Sequence, residues 1–193
     1  MRIREHYLQG DMVSYLPCTK NSRLLETIDT VVLHGTGGSS AISSARYMAR
    51  PDTAVSAHLV IDRMGGVIQL LPFHVRAWHA GKSSHAGRTG LNDFSIGIEL
   101  DNAGKLVRRG DRFFSWFGKE YQPDEVFTTE EGGHAAYYHA YTTLQVEQVV
   151  RVCMLLKSAY PLRWLVRHSD ITGRKVDPGP AFPFEQVKKD VGF

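Results

Sequence analysis

Five residues carry side chains from which a catalytic centre can be assembled: His34, Glu99, His168, Lys175 and Asp177. Two imidazoles and one carboxylate, here His34, His168 and Asp177, make a zinc set of the catalytic kind, with three protein ligands and a fourth position left for water. His34 stands at the end of an apolar run, "TVVLH", just before Gly35, and His168 ends "RWLVRH". Both are therefore predicted at strand tips, where a packed sheet holds side chains rigidly at the rim of a cleft. Asp177 precedes Pro178, and the residue before a proline is pushed to extended geometry, which narrows where its carboxylate can point. A trio gathered from distant positions is a weak signal on its own. For any one of the nine histidines a surface or satisfied core role is the default, and His6, His134 and His139 lie in segments with no supporting chemistry.

Glu99 and Lys175 strengthen the set. In "FSIGIELDN", Ile96, Ile98 and Leu100 share one face of a strand, so Glu99 and Gly97 point to the other. A carboxylate beside a zinc-activated water is a suitable general base. Lys175, two residues before Asp177, is placed to set an ammonium over a developing oxyanion. By pattern alone Glu99 is equally a solvated sheet-face charge, and Lys175 an exposed loop lysine. Trp78 and His79, in "RAWHAG", are candidates to line the groove, with Trp78 packing on sugar or peptide or else half-buried in the core. Arg88 and Asn92 precede the Glu99 strand, where they contact substrate carboxylates or simply shape the loop.

The elements that must hold these groups interleave strands and helices. "SAHLVIDRMGGVIQLL" alternates and carries Gly65-Gly66 between two apolar arms, a hairpin signal. Serines at 39, 40, 43 and 44 lead into a short helix, "ARYMAR", ended by Pro51. Thr142 with Gln145 makes a capping box ahead of the amphipathic helix "LQVEQVVRVCMLLKSAY". Residues from about 103 to 140 are charged, aromatic and glycine-bearing, and are expected to form a long irregular loop or lid. The fold class expected is mixed α/β, a central mixed sheet flanked by helices, in one domain of 193 residues assumed to be monomeric.

Composition removes several alternatives. A net charge of +3 with no basic run gives no support to nucleic acid as a partner. No apolar run is long enough to span a bilayer. Cys18 and Cys153 are too few and too differently placed for a disulfide framework or a CxxC site. The charged N-terminus lacks the apolar core of a signal peptide. A cytoplasmic protein is the default expectation, with release by phage or delivery to the periplasm left open.

"VVLHGTGG", "SAHLVIDRMGGVIQLL", "RAWHAGKSSHAGRTGLNDFSIGIELDN", "YTTLQ" and "RHSDITGRKVDPGPAFPF" occur in that order. Together they resemble the zinc-dependent N-acetylmuramoyl-L-alanine amidases of the AmpD type, relatives of phage amidase lysozymes and peptidoglycan recognition proteins. The resemblance covers roughly residues 28 to 102 and 141 to 185. It implies zinc held by His34, His168 and Asp177, Glu99 as the acidic catalytic residue, and Lys175 as the cation assisting the transition state. It also implies peptidoglycan or soluble muropeptides as substrate, cut at the amide between N-acetylmuramic acid and L-alanine. The family's recognition-type members bind peptidoglycan without cleaving it and commonly lack a metal ligand, so the presence of Asp177, Glu99 and Lys175 favours hydrolysis. A zinc hydrolase acting on some other amide fits the metal trio but not "AWHAG" with "NDFSIGIEL". Two departures stand out: the loop "HSDITGRK" is one residue shorter than the usual form, and residues 103–140 exceed the compact members in length.

Overall fold

The structure is a computed structural model that describes residues 1–193. The chain begins with a hairpin of β1 (Arg2–Arg4) and β2 (Tyr7–Gln9), followed by β3 (Val13–Tyr15). Then come β4 (Thr30–Gly35), α1 (Ala41–Ala49), β5 (Leu59–Ile61) and β6 (Val67–Gln69). The small pair β7 (Ser84–His85) and β8 (Arg88–Thr89) leads to β9 (Ser95–Leu100). Five further strands follow: β10 (Lys105–Arg109), β11 (Arg112–Phe114), β12 (Glu120–Tyr121), β13 (Val126–Glu131) and β14 (His134–His139). The chain closes with α2 (Thr143–Ala159), β15 (Trp164–Arg167), the single-turn α3 (His168–Ile171) and α4 (Phe184–Val191).

The central sheet is mixed, as expected, with strand order β15-β4-β9-β5-β6-β3 and an antiparallel step only at the β5–β6 hairpin. β4 and β9 are buried along nearly their whole length, which is why "TVVLHG" and "SIGIEL" read as near-continuous apolar runs; parallel strands are covered on both faces. On one face Leu33, Ile96, Ile98 and Leu165 pack against Val152 and Leu156 of α2 and Val187 of α4. On the other face α1 lays Ala41, Ala45 and Met48 over Val60.

The helix starts hold local surprises. Ser40 caps α1, accepting from the Ser43 amide, so this helix begins earlier than "ARYMAR" suggests. Thr142 caps α2 by accepting from the Gln145 amide at 3.1 Å. The Gln145 side chain does not complete the box; its amide instead donates to the Ile61 and Asp101 carbonyls, pinning α2 to the central sheet.

Residues 103–140 depart from expectation. They form a second sheet, five antiparallel strands in the order β12-β11-β10-β14-β13, rather than an irregular loop. This sheet has a small core of its own, Ala103, Leu106 and Tyr121 with Phe113, Phe117 and Tyr137 around them. β10 buries only Leu106 and β13 buries no residue fully. An antiparallel sheet this exposed leaves little apolar alternation for a sequence to display.

Candidate metal centre and cleft

Three parallel strands bring the site together at their C-terminal ends. In the β4–β9 register His34 lies beside Glu99, and on the other flank Leu33 lies beside Arg167 of β15. His168 follows immediately, as the first residue of α3 rather than the last of the strand, and is buried. The Ser169 amide donates to the Asp177 carbonyl at 3.1 Å, folding the later segment back onto α3. The Tyr141 hydroxyl donates to the Pro178 carbonyl at 2.9 Å, bracing that segment from behind.

The ligand atoms converge. His34 Nδ1 and His168 Nδ1 are 3.0 Å apart, His168 Nδ1 and Asp177 Oδ2 are 3.0 Å apart, and His34 Nδ1 and Asp177 Oδ2 are 3.3 Å apart. A tetrahedral zinc with bonds of about 2.0–2.1 Å sets its ligand atoms about 3.3 Å from one another. The triangle formed by this chain is close to that size, so its donor set and dimensions fit a metal ion held by His34, His168 and Asp177.

The electrostatics suit the same use. Burial, together with the neighbouring His168, lowers the pKa of His34, and this outweighs the pull of Asp177 toward protonation. Burial alone would raise the Asp177 carboxyl, but the two imidazoles beside it hold it well below the usual carboxylate range. Both groups are thus kept in the proton-free form that metal ligation needs. Glu99 moves the other way, pushed up to about 8 by burial and by the Asp177 charge, with Lys175 opposing. A carboxyl titrating near neutrality is fitted to take and return a proton.

These groups line one cleft of about 690 Å³. Lys175 is exposed on its wall next to Arg174, whose guanidinium donates to the Lys82 carbonyl at 2.9 Å. Trp78 lines it as well, half-buried, with the Lys20 ammonium 5.8 Å from its ring centre. The second sheet reaches the same cleft through Trp116 and Phe117, in the turn between β11 and β12. Trp116 is 76% exposed, and its indole N–H donates to the Gly37 carbonyl, in the loop after His34, at 2.6 Å.

Of the remaining sequence candidates, Asn92 and His79 line the cleft and Arg88 does not. Arg88 grips Asp29 through two bonds of 2.7 and 3.0 Å and stacks on Phe94 and Trp164, so its charge is spent on the fold. Asn92 is buried, and its side-chain oxygen accepts from the His79 and Ala80 amides at 3.0 and 2.7 Å, shaping the loop that carries His79. His79 lines the cleft as expected but is largely buried in its wall, with Nδ1 directed at His34 Nε2. Sequence reasoning missed Trp116, Tyr141 and Ser95. The only available signal was for Trp116, an aromatic pair with Phe117 in an otherwise polar stretch.

Fold and site define an α/β protein in which His34, His168 and Asp177 gather at the C-terminal ends of parallel strands in a group compatible with metal binding. The chain belongs to the N-acetylmuramoyl-L-alanine amidase family (Amidase_2), whose model matches residues 24–180. It is 36% identical over 137 residues to the 1,6-anhydro-N-acetylmuramyl-L-alanine amidase AmpD of Escherichia coli, a match covering 69% of this chain and 57% of that one. The chain thus spans a little over half the length of that curated relative. A crystal structure of a selenomethionine AmpD derivative superposes with a TM-score of 0.65 at 27% identity, covering 98% of this chain and 99% of the other. The amidase AmiD from E. coli, solved with anhydro-N-acetylmuramic acid-L-Ala-D-γ-Glu-L-Lys, gives a TM-score of 0.62 at 28% identity over 86% of this chain and 58% of that one. The AmpD-type resemblance and the mixed α/β fold read from the sequence are both borne out. No helix is long and apolar enough to cross a membrane.

Proposed function

We propose that this chain hydrolyses the amide between N-acetylmuramic acid and L-alanine in peptidoglycan or its muropeptide fragments, using zinc held by His34, His168 and Asp177. The observation that carries this is the ligand triangle, with sides of 3.0, 3.0 and 3.3 Å, in one cleft with Glu99 and Lys175. Zinc bound there supplies a Lewis acid that polarises the scissile carbonyl and activates water. Glu99, beside His34 in the strand register, accepts the proton of the attacking water and returns it to the departing L-alanine amine. Lys175 stabilises the negative oxygen of the tetrahedral intermediate; loss of one such donor typically costs about 100- to 1000-fold in rate. Trp78 from the central fold and Trp116 from the second sheet present aromatic faces for the sugar or stem peptide. The second sheet belongs to the same catalytic domain and edges the cleft, restricting which fragment enters. The muropeptide held by AmiD in its solved structure supports a substrate of this class.

Mass spectrometry of products from intact sacculi and from soluble anhydro-muropeptides, with and without chelator, tests the proposal. Release of free stem peptides beginning at L-alanine, abolished by chelator and restored by zinc, is expected. Binding to cell wall without release, with or without zinc, would instead make this a recognition module. The substrate that is cut faster separates fragment recycling from wall lysis.

A further inference from the structure

Beside the ligand triangle lies a third histidine, His79, almost wholly buried in the cleft wall. His34 Nε2, the ring nitrogen turned away from His168 and Asp177, is 3.0 Å from His79 Nδ1. His79 Nε2 is in turn 3.2 Å from Ser95 Oγ, and the Ser95 hydroxyl is 2.5 Å from the Leu91 carbonyl. All three side chains are shielded: Ser95 is 0% exposed, His34 1% and His79 8%.

Donor and acceptor counting fixes every proton in this chain. A carbonyl only accepts, so the Ser95 hydroxyl spends its single proton on Leu91 and must accept from His79. His79 therefore carries its proton on Nε2. A second proton on Nδ1 would bury an imidazolium against another imidazole with no carboxylate in contact, which is costly. Its Nδ1 is thus a bare acceptor, and the bond of 3.0 Å to His34 requires the proton on His34 Nε2. The outcome leaves His34 Nδ1 unprotonated, and that is the atom in the ligand triangle.

The backbone is cut to make room for this arrangement. Gly97 lies opposite Val32 in the β4–β9 register, two residues from the His34–Glu99 pair. A Cβ on Gly97 would sit 2.4 Å from His79 Cγ and 2.7 Å from its Nδ1. No side chain larger than hydrogen leaves space for the ring. The Asn92 side chain, accepting from the His79 and Ala80 amides, holds the ring's backbone in place.

We propose that Ser95 and His79 form a hydrogen-bond relay that locks the His34 ring with Nδ1 bare toward the metal position, with Gly97 as the notch that admits it. His79 is accordingly a positioning residue acting through His34, and this assignment rests on the metal centre proposed above. Partners of this kind orient a ligating imidazole and raise its basicity, and their loss typically weakens metal binding about 10- to 100-fold.

The test measures zinc affinity by chelator competition in wild type, His79→Leu, His79→Asn and Ser95→Ala, alongside ¹⁵N spectra of the imidazole rings in the zinc-loaded proteins. Wild type is expected to bind one zinc and to show a slowly exchanging His34 Nε2–H. His79→Leu should bind about 10- to 100-fold more weakly and lose that signal. His79→Asn, which returns an acceptor near the Nδ1 position, should recover part of both, and Ser95→Ala should weaken binding by a smaller factor. Zinc affinities within twofold of wild type in His79→Leu and Ser95→Ala, with the His34 Nε2–H unchanged, would overturn the relay while leaving the metal centre intact. Should His79→Leu not fold, His79→Asn and Ser95→Ala decide by the same criteria. Failure of wild type to bind zinc at all is a separate result that removes the metal centre and the relay with it.

Discussion

The two sheets divide the work. The central, largely parallel sheet is covered on both faces, and every proposed metal ligand and catalytic group except Lys175 is at least half-buried on or beside its strand ends. The antiparallel second sheet has a core of three buried residues and sends only the exposed Trp116 and its neighbour Phe117 into the cleft. Burial on the central sheet raises the Glu99 carboxyl, whereas the imidazoles of His34 and His168 hold the Asp177 carboxyl low against the effect of burial. The thin sheet instead offers contact area at the rim, where neighbouring shape decides fit. In the proposed function, chemistry thus falls to the central sheet, and the second sheet adds Trp116 to the contact surface that Trp78 begins.

The contrast predicts effects of different size and kind. Glu99→Gln, on the central sheet, should lower kcat by about 100- to 10,000-fold while zinc still binds. The same change should stabilise the metal-free fold, because burial holds the Glu99 pKa near 8, above its ordinary value of 4.5. The folded state then binds more protons than the unfolded one, so Glu99 subtracts stability progressively as pH rises from about 4.5 to about 8. Denaturant titrations of the apo-protein across this window should show a downward slope with pH that is reduced in Glu99→Gln. An unchanged slope would mean that the carboxyl is not perturbed.

Trp116→Ala, on the second sheet, should act on the other kinetic constant. Removing an aromatic platform worth about 0.5–1.5 kcal/mol raises KM by about 2- to 12-fold and leaves zinc affinity unchanged. The effect should differ between sacculi and soluble fragments. A fall in kcat comparable to that of Glu99→Gln would erase the division between the sheets.

Much of the central region was legible in the sequence. The period-2 pattern around Ile96, Ile98 and Leu100 assigned Glu99 to the opposite face, and the apolar runs ending at His34 and His168 located the strand tips. The sequence could not choose between substrate contact and loop shaping for Arg88 because its partner, Asp29, lies 59 residues away and outside the cleft. The His79 relay was equally hidden. It depends on the strand register that sets Gly97 opposite Val32, and a register between distant parallel strands leaves no local trace. The second sheet escaped because strands such as Lys105–Arg109 expose charge on most positions.

The most direct test is a crystal structure of the zinc-loaded protein with anomalous data collected at the zinc edge. One anomalous peak is expected, within about 2.0–2.2 Å of His34 Nδ1, His168 Nδ1 and an Asp177 carboxylate oxygen. A peak elsewhere, or those three side chains drawn apart in a protein that retains full activity, would contradict the account.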